Sequence, residues 1–259
     1  VENAVLSTYL NFKIVASDLN GSLARTRAEK PVAREVDYYL SNIAKVKSVE
    51  DFLKNDRLYR FAMKAMGLND MSFAKGMIRK VLNEGVDHPN AMANKLQDQR
   101  FKEFAKVFNF KQFAAATTAF DAARGGVVEK YVRQTLEENS GAANEGVRLA
   151  LYFQRKAPGL TTAYSILADK ALLKVTQVAL NLPASMSNSD IDTQARMIDG
   201  KLKIADLKSP DKLEKFLQRF ATLYDLANDT SSSQVASLFM QSREGLSADM
   251  IMSLQKLRR

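Results

Sequence analysis

Residues Asn55–Asp70 read NDRLYRFAMKAMGLND, and residues Ala168–Ala184 read ADKALLKVTQVALNLPA. In the first stretch Leu58, Phe61, Ala62 and Ala65 recur at spacings of three and four, the period of one helix face. Gly67 follows where a helix C-cap belongs. The second stretch repeats the pattern. Leu58-Tyr59-Arg60-Phe61 aligns with Leu172-Leu173-Lys174-Val175, and Ala65-Met66-Gly67-Leu68 with Ala179-Leu180-Asn181-Leu182, at an offset of 114. Asp56 aligns with Asp169 after a one-residue slip. Upstream, at an offset of 113, Val36 meets Leu149, Tyr39 meets Tyr152 and Leu40 meets Phe153. Downstream, at 112, Phe104 meets Phe216 and Phe108 meets Phe220.

The preserved order predicts two related helical modules from an internal duplication, over residues 1–113 and 127–226, with 227–259 as a linker and C-terminal amphipathic helix. Identity between the halves is low, and amphipathic helices of like composition also echo one another without common origin. The period is far longer than the ~20–50 residues of solenoid repeats, so two halves are expected and not an open superhelix.

Composition agrees with an all-α fold. Of 259 residues, 46% are hydrophobic and 26% charged, with no Trp, 11 Gly and 5 Pro. The abundant Ala, Leu, Lys, Met, Arg and Gln are helix formers. The absence of Cys excludes disulfides, thiolate metal sites and Cys nucleophiles. It suits a reducing cytosol and is compatible with export. No apolar run reaches the ~18–20 residues of a membrane helix. VENAVLSTYLNF lacks the basic-then-apolar order of a secretory signal. The expected location is therefore the cytoplasm, or outside the cell by a route that needs no such signal.

Local signals set the helices. One is expected from Ala4 to about Arg27 with Leu6, Tyr9, Leu10 and Ile14 as its stripe, weakened at Asn20-Gly21. Pro31 opens another, with Val32, Val36, Tyr39, Leu40 and Ile43 on one face. Ser48 caps the next. Asp70 or Ser72 is expected to cap a helix whose apolar face holds Phe73, Met77, Ile78, Val81 and Leu82. A further helix is expected around Pro89. Ala114–Gly126 reads as a hinge between modules, with Gly125-Gly126 as its strongest breaker. Ser209-Pro210 opens a helix with Leu213, Phe216, Leu217, Phe220 and Leu223 as its core face.

Chemistry is scarce. His88 is the single histidine, in a DHPN turn, and reads as a cap or surface residue. No zinc site or histidine triad can be built around it. Glu137 and Glu138 are adjacent and point to different azimuths, so they form no facing acid pair. Neither a phosphate loop nor a dinucleotide fingerprint is present. No catalytic, cofactor-binding or metal-binding residue is assigned, and no cofactor is expected.

The net charge of +9 and pI near 9.6 favour anionic partners. The cations alternate with apolar residues as solvated helix faces do. Phe101, Phe104 and Phe108 among Arg100, Lys102 and Lys106 could stack bases, but that spacing more commonly belongs to a core. Nucleic-acid binding is the secondary reading. The segment LSADMIMSLQKLRR (Leu246–Arg259) is amphipathic and basic. Ile251, Leu254 and Leu257, with Arg258 and Arg259, are its candidate partner-binding residues.

The elements VAREVDYYLSNI, SVEDFL, DRLYRFAMKAMGL and the terminal LSADMIMSLQKLRR resemble the alphaproteobacterial domain of unknown function 1217 family. That family's genes lie among flagellar genes. The resemblance implies a flagellum-associated, non-enzymatic protein with a flagellar or flagellar-export partner. It supplies no catalytic residue.

Overall fold

Side-chain caps start most of the described helices. The structure is a computed structural model that describes residues 7–228. These form fifteen α-helices joined by turns and short 3-10 segments, with no strand among the described residues. The fold is all-α, as the composition implies.

The expected first helix is two: α1 (Thr8–Ser17) and α2 (Leu19–Ala28). The break falls at Asp18, not at Asn20-Gly21. The Asp18 carboxylate accepts the Gly21 N–H at 3.0 Å and caps α2. A Cβ on Gly21 would stand 2.1 Å from that carboxylate, so glycine permits the cap. Leu10 and Ile14 are exposed, whereas α1 buries Thr8 and Phe12. Pro31 lies in the first turn of α3 (Lys30–Ile43), which buries Val32, Val36, Tyr39 and Ile43. Ser48 caps α4 (Val49–Lys54), and Asn55 caps α5 (Asp56–Ala65).

Next come α6 (Lys75–Glu84), α7 (Met92–Lys95), α8 (Gln99–Val107) and α9 (Phe110–Phe113). A 3-10 turn over Asn69–Met71 delays α6 beyond the caps expected at Asp70 or Ser72. Phe73 therefore precedes the helix and stands 81% exposed instead of joining its apolar face. The helix expected at Pro89 shrinks to α7. Phe101 and Phe104 are buried on α8, as core residues and not as a stacking platform.

The second half contains α10 (Gly125–Ala143), α11 (Glu145–Lys156), α12 (Ala163–Leu167), α13 (Lys170–Ala179), α14 (Ile191–Asp199) and α15 (Pro210–Asn228). Gly125-Gly126 is the first turn of α10 and not a hinge.

Two large apolar cores hold these helices, and a small third cluster of Val81, Ala93 and Ala105 seats α7. The first runs from Val32 to Val132 and centres on aromatic rings. Phe61 lies between Tyr39 and Tyr131, with centroids 4.4 and 3.8 Å away. Phe52 meets Tyr59, Phe104, Phe108 and Phe110. The second core joins Phe12 to residues from Val147 to Ala221, with Phe153 stacked on Phe216 at 5.0 Å.

The expected limits at 113 and 127 do not follow these cores. The first turns of α10 belong to the first core through Val127, Val128, Tyr131 and Val132. Helix α1 belongs to the second. It is pinned to α15 by Thr8 N–H to Asp225 at 2.9 Å and by Lys13 to Glu214 at 2.6 Å. Each half therefore lends helical turns to the other's core.

The opening echo has a geometric counterpart. Ser48 and Thr162 each cap the helix that follows them by accepting the N–H three residues on. Tyr38 donates to Asn55 at 3.2 Å, and Tyr152 to Asp169 at 2.5 Å. Gly67 and Asn181 both take positive φ, at 69° and 48°. Leu68 N–H then closes on Met63 O at 2.8 Å, and Leu182 N–H on Gln177 O at 2.9 Å. The tyrosine–cap bond fixes a constant offset of 114 here, so Tyr152 matches Tyr38 and not Tyr39, and Asp169 matches Asn55 and not Asp56. Tyr39 is instead buried and donates to Ala123 O at 2.6 Å.

Candidate functional site: a groove between two helices

Most titratable groups that could do chemistry are already committed to structure. Glu137 is 1% exposed and accepts from Arg133 at 2.8 Å and from Arg155 at 2.8 and 2.7 Å. Arg133 also donates to Leu151 O at 3.0 Å, which joins α10 to α11. Burial would lower the Arg155 guanidinium, but the bonds to Glu137 outweigh it and hold it above its ordinary value. Burial pushes the Tyr152 phenol up, and neighbouring Asp169 adds to the rise. Lys156 is pulled down by burial and by Arg155. Glu138 pairs with Lys64 at 2.7 Å, away from Glu137, as their azimuths require.

His88 closes its own turn. Its Nδ1 accepts the Asn90 N–H at 3.1 Å, and its carbonyl accepts from Asn94 at 2.9 Å. Among the described residues no group of three or more His, Asp or Glu is placed to hold a metal ion. No described helix is long and apolar enough to cross a membrane.

Open hollows lie on both halves: one of about 540 Å³ on the first is lined by charged groups such as Arg34, Glu35, Arg57 and Lys64, and the one with an apolar floor lies on the second. A groove runs between α13 and α15 in two lobes of about 590 and 370 Å³ that share Asn181, Leu223 and Leu226. One wall is the α13 stripe Lys174, Gln177 and Val178, continued by Leu182 and Ala184. The other is the α15 stripe Lys215, Gln218, Arg219, Thr222, Leu223 and Leu226, whose spacing keeps it on one helix face. Leu226 is 67% exposed, and Val178 and Leu223 are half-buried.

The local sequence makes this opening. In the first half, α8 ends at Val107 and the chain turns at Asn109 into α9. Arg100 reaches back to Gly67 O and covers that helix end. In the second half α15 continues to Asn228, beyond the residues that match α8. Asn181 remains exposed, and the extra turns present Leu223 and Leu226 beside it.

A smaller hollow of about 300 Å³ lies among α1, α11 and α15, lined by Phe12, Gln154, Leu207 and Leu213 among others. Gln154 Oε1 is buried there without a hydrogen-bond partner among the described residues. The sequence marked neither hollow, because an amphipathic stripe looks the same whether or not a neighbour covers it. The sequence-derived candidates Ile251, Leu254, Leu257, Arg258 and Arg259 lie outside the described residues.

Fold and groove together define an all-α protein with two large apolar cores and a groove between the paired helices α13 and α15. The chain belongs to the family described as protein of unknown function (DUF1217), whose model matches residues 65–213. It is similar to the X-ray crystal structure of protein AGR_C_984 from Agrobacterium tumefaciens, a structural-genomics target. The TM-score is 0.79 and the identity 44%, over 86% of this chain and 97% of that one. No curated protein matches the chain.

Proposed function

We propose that this is a non-enzymatic, flagellum-associated protein that works by docking a partner in the groove between α13 and α15. One observation carries the docking reading: two exposed helix stripes converge on an apolar floor that includes Leu226, 67% exposed at the end of the described chain. Apolar grooves of this kind receive helices or extended peptides. The commitment of Glu137 and His88 to structural bonds supports the non-enzymatic part. The flagellar part rests on the family resemblance, and the proposed location is the cytoplasm or outside the cell with the flagellum. The recurrence of caps and left-handed turns at a 114-residue offset supports descent by duplication.

The test is a gene deletion complemented with wild type or with Leu226→Glu. The deletion should abolish or reduce swimming and filament assembly, wild type should restore them, and Leu226→Glu should not. Normal motility and filaments in the deletion strain would overturn the flagellar assignment.

A further inference from the structure

The groove carries charge in a fixed arrangement. Two acids of α15 face α1: Glu214 is bound by Lys13 and Tyr9, and Asp225 by Thr8. Its cations Lys215 and Arg219 face the groove. Lys174 stands at the other end, in the lobe that also contains Ala227. None of the three has an ion-pair partner among the described residues, and no acidic residue lines either lobe. The apolar floor of Val178, Leu182, Leu223 and Leu226 lies between these cationic ends.

We infer that the groove receives an amphipathic helix whose apolar stripe is flanked at both ends by acidic residues. The inference rests on the docking reading above and adds the partner's chemistry. From Lys215 to Ala227 the wall spans 12 residue steps, about 18 Å at roughly 1.5 Å per step, so it accommodates about three turns of helix. An apolar i, i+3/i+4, i+7 stripe of that length matches the floor. Carboxylates at its ends meet Lys174 on one side and Lys215 with Arg219 on the other. Complementary rim charge sets which partner is accepted more than how tightly it is held. The chain's own C-terminal segment is a poorer match, because it closes on Lys256, Arg258 and Arg259.

Two fluorescein-labelled model helices test this by anisotropy with the full chain. They share one leucine stripe, flanked in one by glutamate and in the other by lysine. The glutamate helix should bind about tenfold tighter at low salt, an advantage that salt erodes. Lys215→Glu/Arg219→Glu should invert the preference, and Leu226→Ser should weaken both helices, with the helical circular dichroism of each variant unchanged. Equal binding of the two helices, both weakened by Leu226→Ser, would overturn the acidic class while leaving the groove as a docking site. Binding of neither helix, or binding indifferent to Leu226→Ser, would overturn the groove reading itself. Binding that emerges only in Ile251→Ser/Leu254→Ser would assign the groove to the chain's own C-terminal segment. Displacement of the glutamate helix by a duplex oligonucleotide, lost in the charge-reversal variant, would assign it to nucleic acid. Either result overturns the proposal.

Discussion

Replacing Glu137 with alanine would strip two guanidinium groups of their counter-ion inside the joint between α10 and α11. The carboxylate is 1% exposed and both of its oxygens are occupied, at 2.8, 2.8 and 2.7 Å. Removing one member of a buried pair typically costs about 3–5 kcal/mol, because the remaining charge stays desolvated. The two arginines differ in how they can respond. Arg155 has a side chain 30% exposed and lies over the Tyr152 ring, so it can turn toward water. Arg133 is 11% exposed and keeps its bond to Leu151 O, so it remains buried with its charge uncompensated. One trapped charge instead of two places the cost at the lower end, about 3 kcal/mol. In urea, with a slope of about 3 kcal/mol per molar, the midpoint should fall by about 1 M. Replacing Glu137, Arg133 and Arg155 together by apolar residues of similar volume should recover most of the loss, to within about 1 kcal/mol of wild type. A midpoint shift below about 0.3 M for Glu137→Ala would refute the reasoning, since it would place the network within reach of water.

Backbone and packing give further outcomes. Gly67→Ala should cost about 1 kcal/mol by thermal or urea unfolding, from its positive φ alone, since the nearest atom to a Cβ there is 3.9 Å away. Asn181→Gly should be neutral or stabilising by a few tenths of a kcal/mol, since it relieves the same left-handed turn. A Cβ on Gly146 would stand 2.7 Å from the Tyr224 ring and 2.8 Å from Thr8. Gly146→Ala should therefore cost about 1–3 kcal/mol and speed hydrogen exchange in α1, where unchanged exchange would contradict the packing. Asp98 supplies a pH dependence. Burial pushes its carboxyl up, but hydrogen bonds from the Arg100 side chain and N–H outweigh it and leave it below the usual range. A depressed folded pKa contributes stability above the unfolded value of about 3.9, and that stability is lost as pH falls through the folded value. Asp98→Asn should thus be less stable than wild type at neutral pH, by a margin that shrinks below about pH 4; a margin constant with pH would contradict it.

Local chemistry was legible in the residues, and tertiary choice was not. Ser48 as a cap, Pro31 in a first turn and Gly67 as a left-handed stop follow from backbone sterics and orphan amide groups, which act over four residues. The Phe101–Phe108 spacing reads as core because it is core. The placement of α1 did not follow in the same way. Its sequence offers Leu10 and Ile14 as readily as Phe12, and the hydrogen bonds of Thr8 and Lys13 to α15 decide which face turns inward. The register of the echo was missed by one residue because apolar spacing tolerates a slip. The signal that fixes it, tyrosine to helix cap at Tyr38–Asn55 and Tyr152–Asp169, lies in polar pairs 17 residues apart. The groove was the least legible feature. Leu223 continues the stripe of Phe216 and Phe220, and the difference that exposes it is tertiary: the chain turns after Val107 in the first half, whereas α15 continues to Asn228 in the second.

The groove's role is tested most directly in motile cells by a photo-reactive amino acid at Gln218, inside the groove, and by the same probe at exposed Lys95 on the other half. The account predicts one discrete covalent adduct from position 218 that disappears in the Leu226→Glu background, and no such adduct from position 95. No adduct at 218, or the same adducts from both positions, would contradict it.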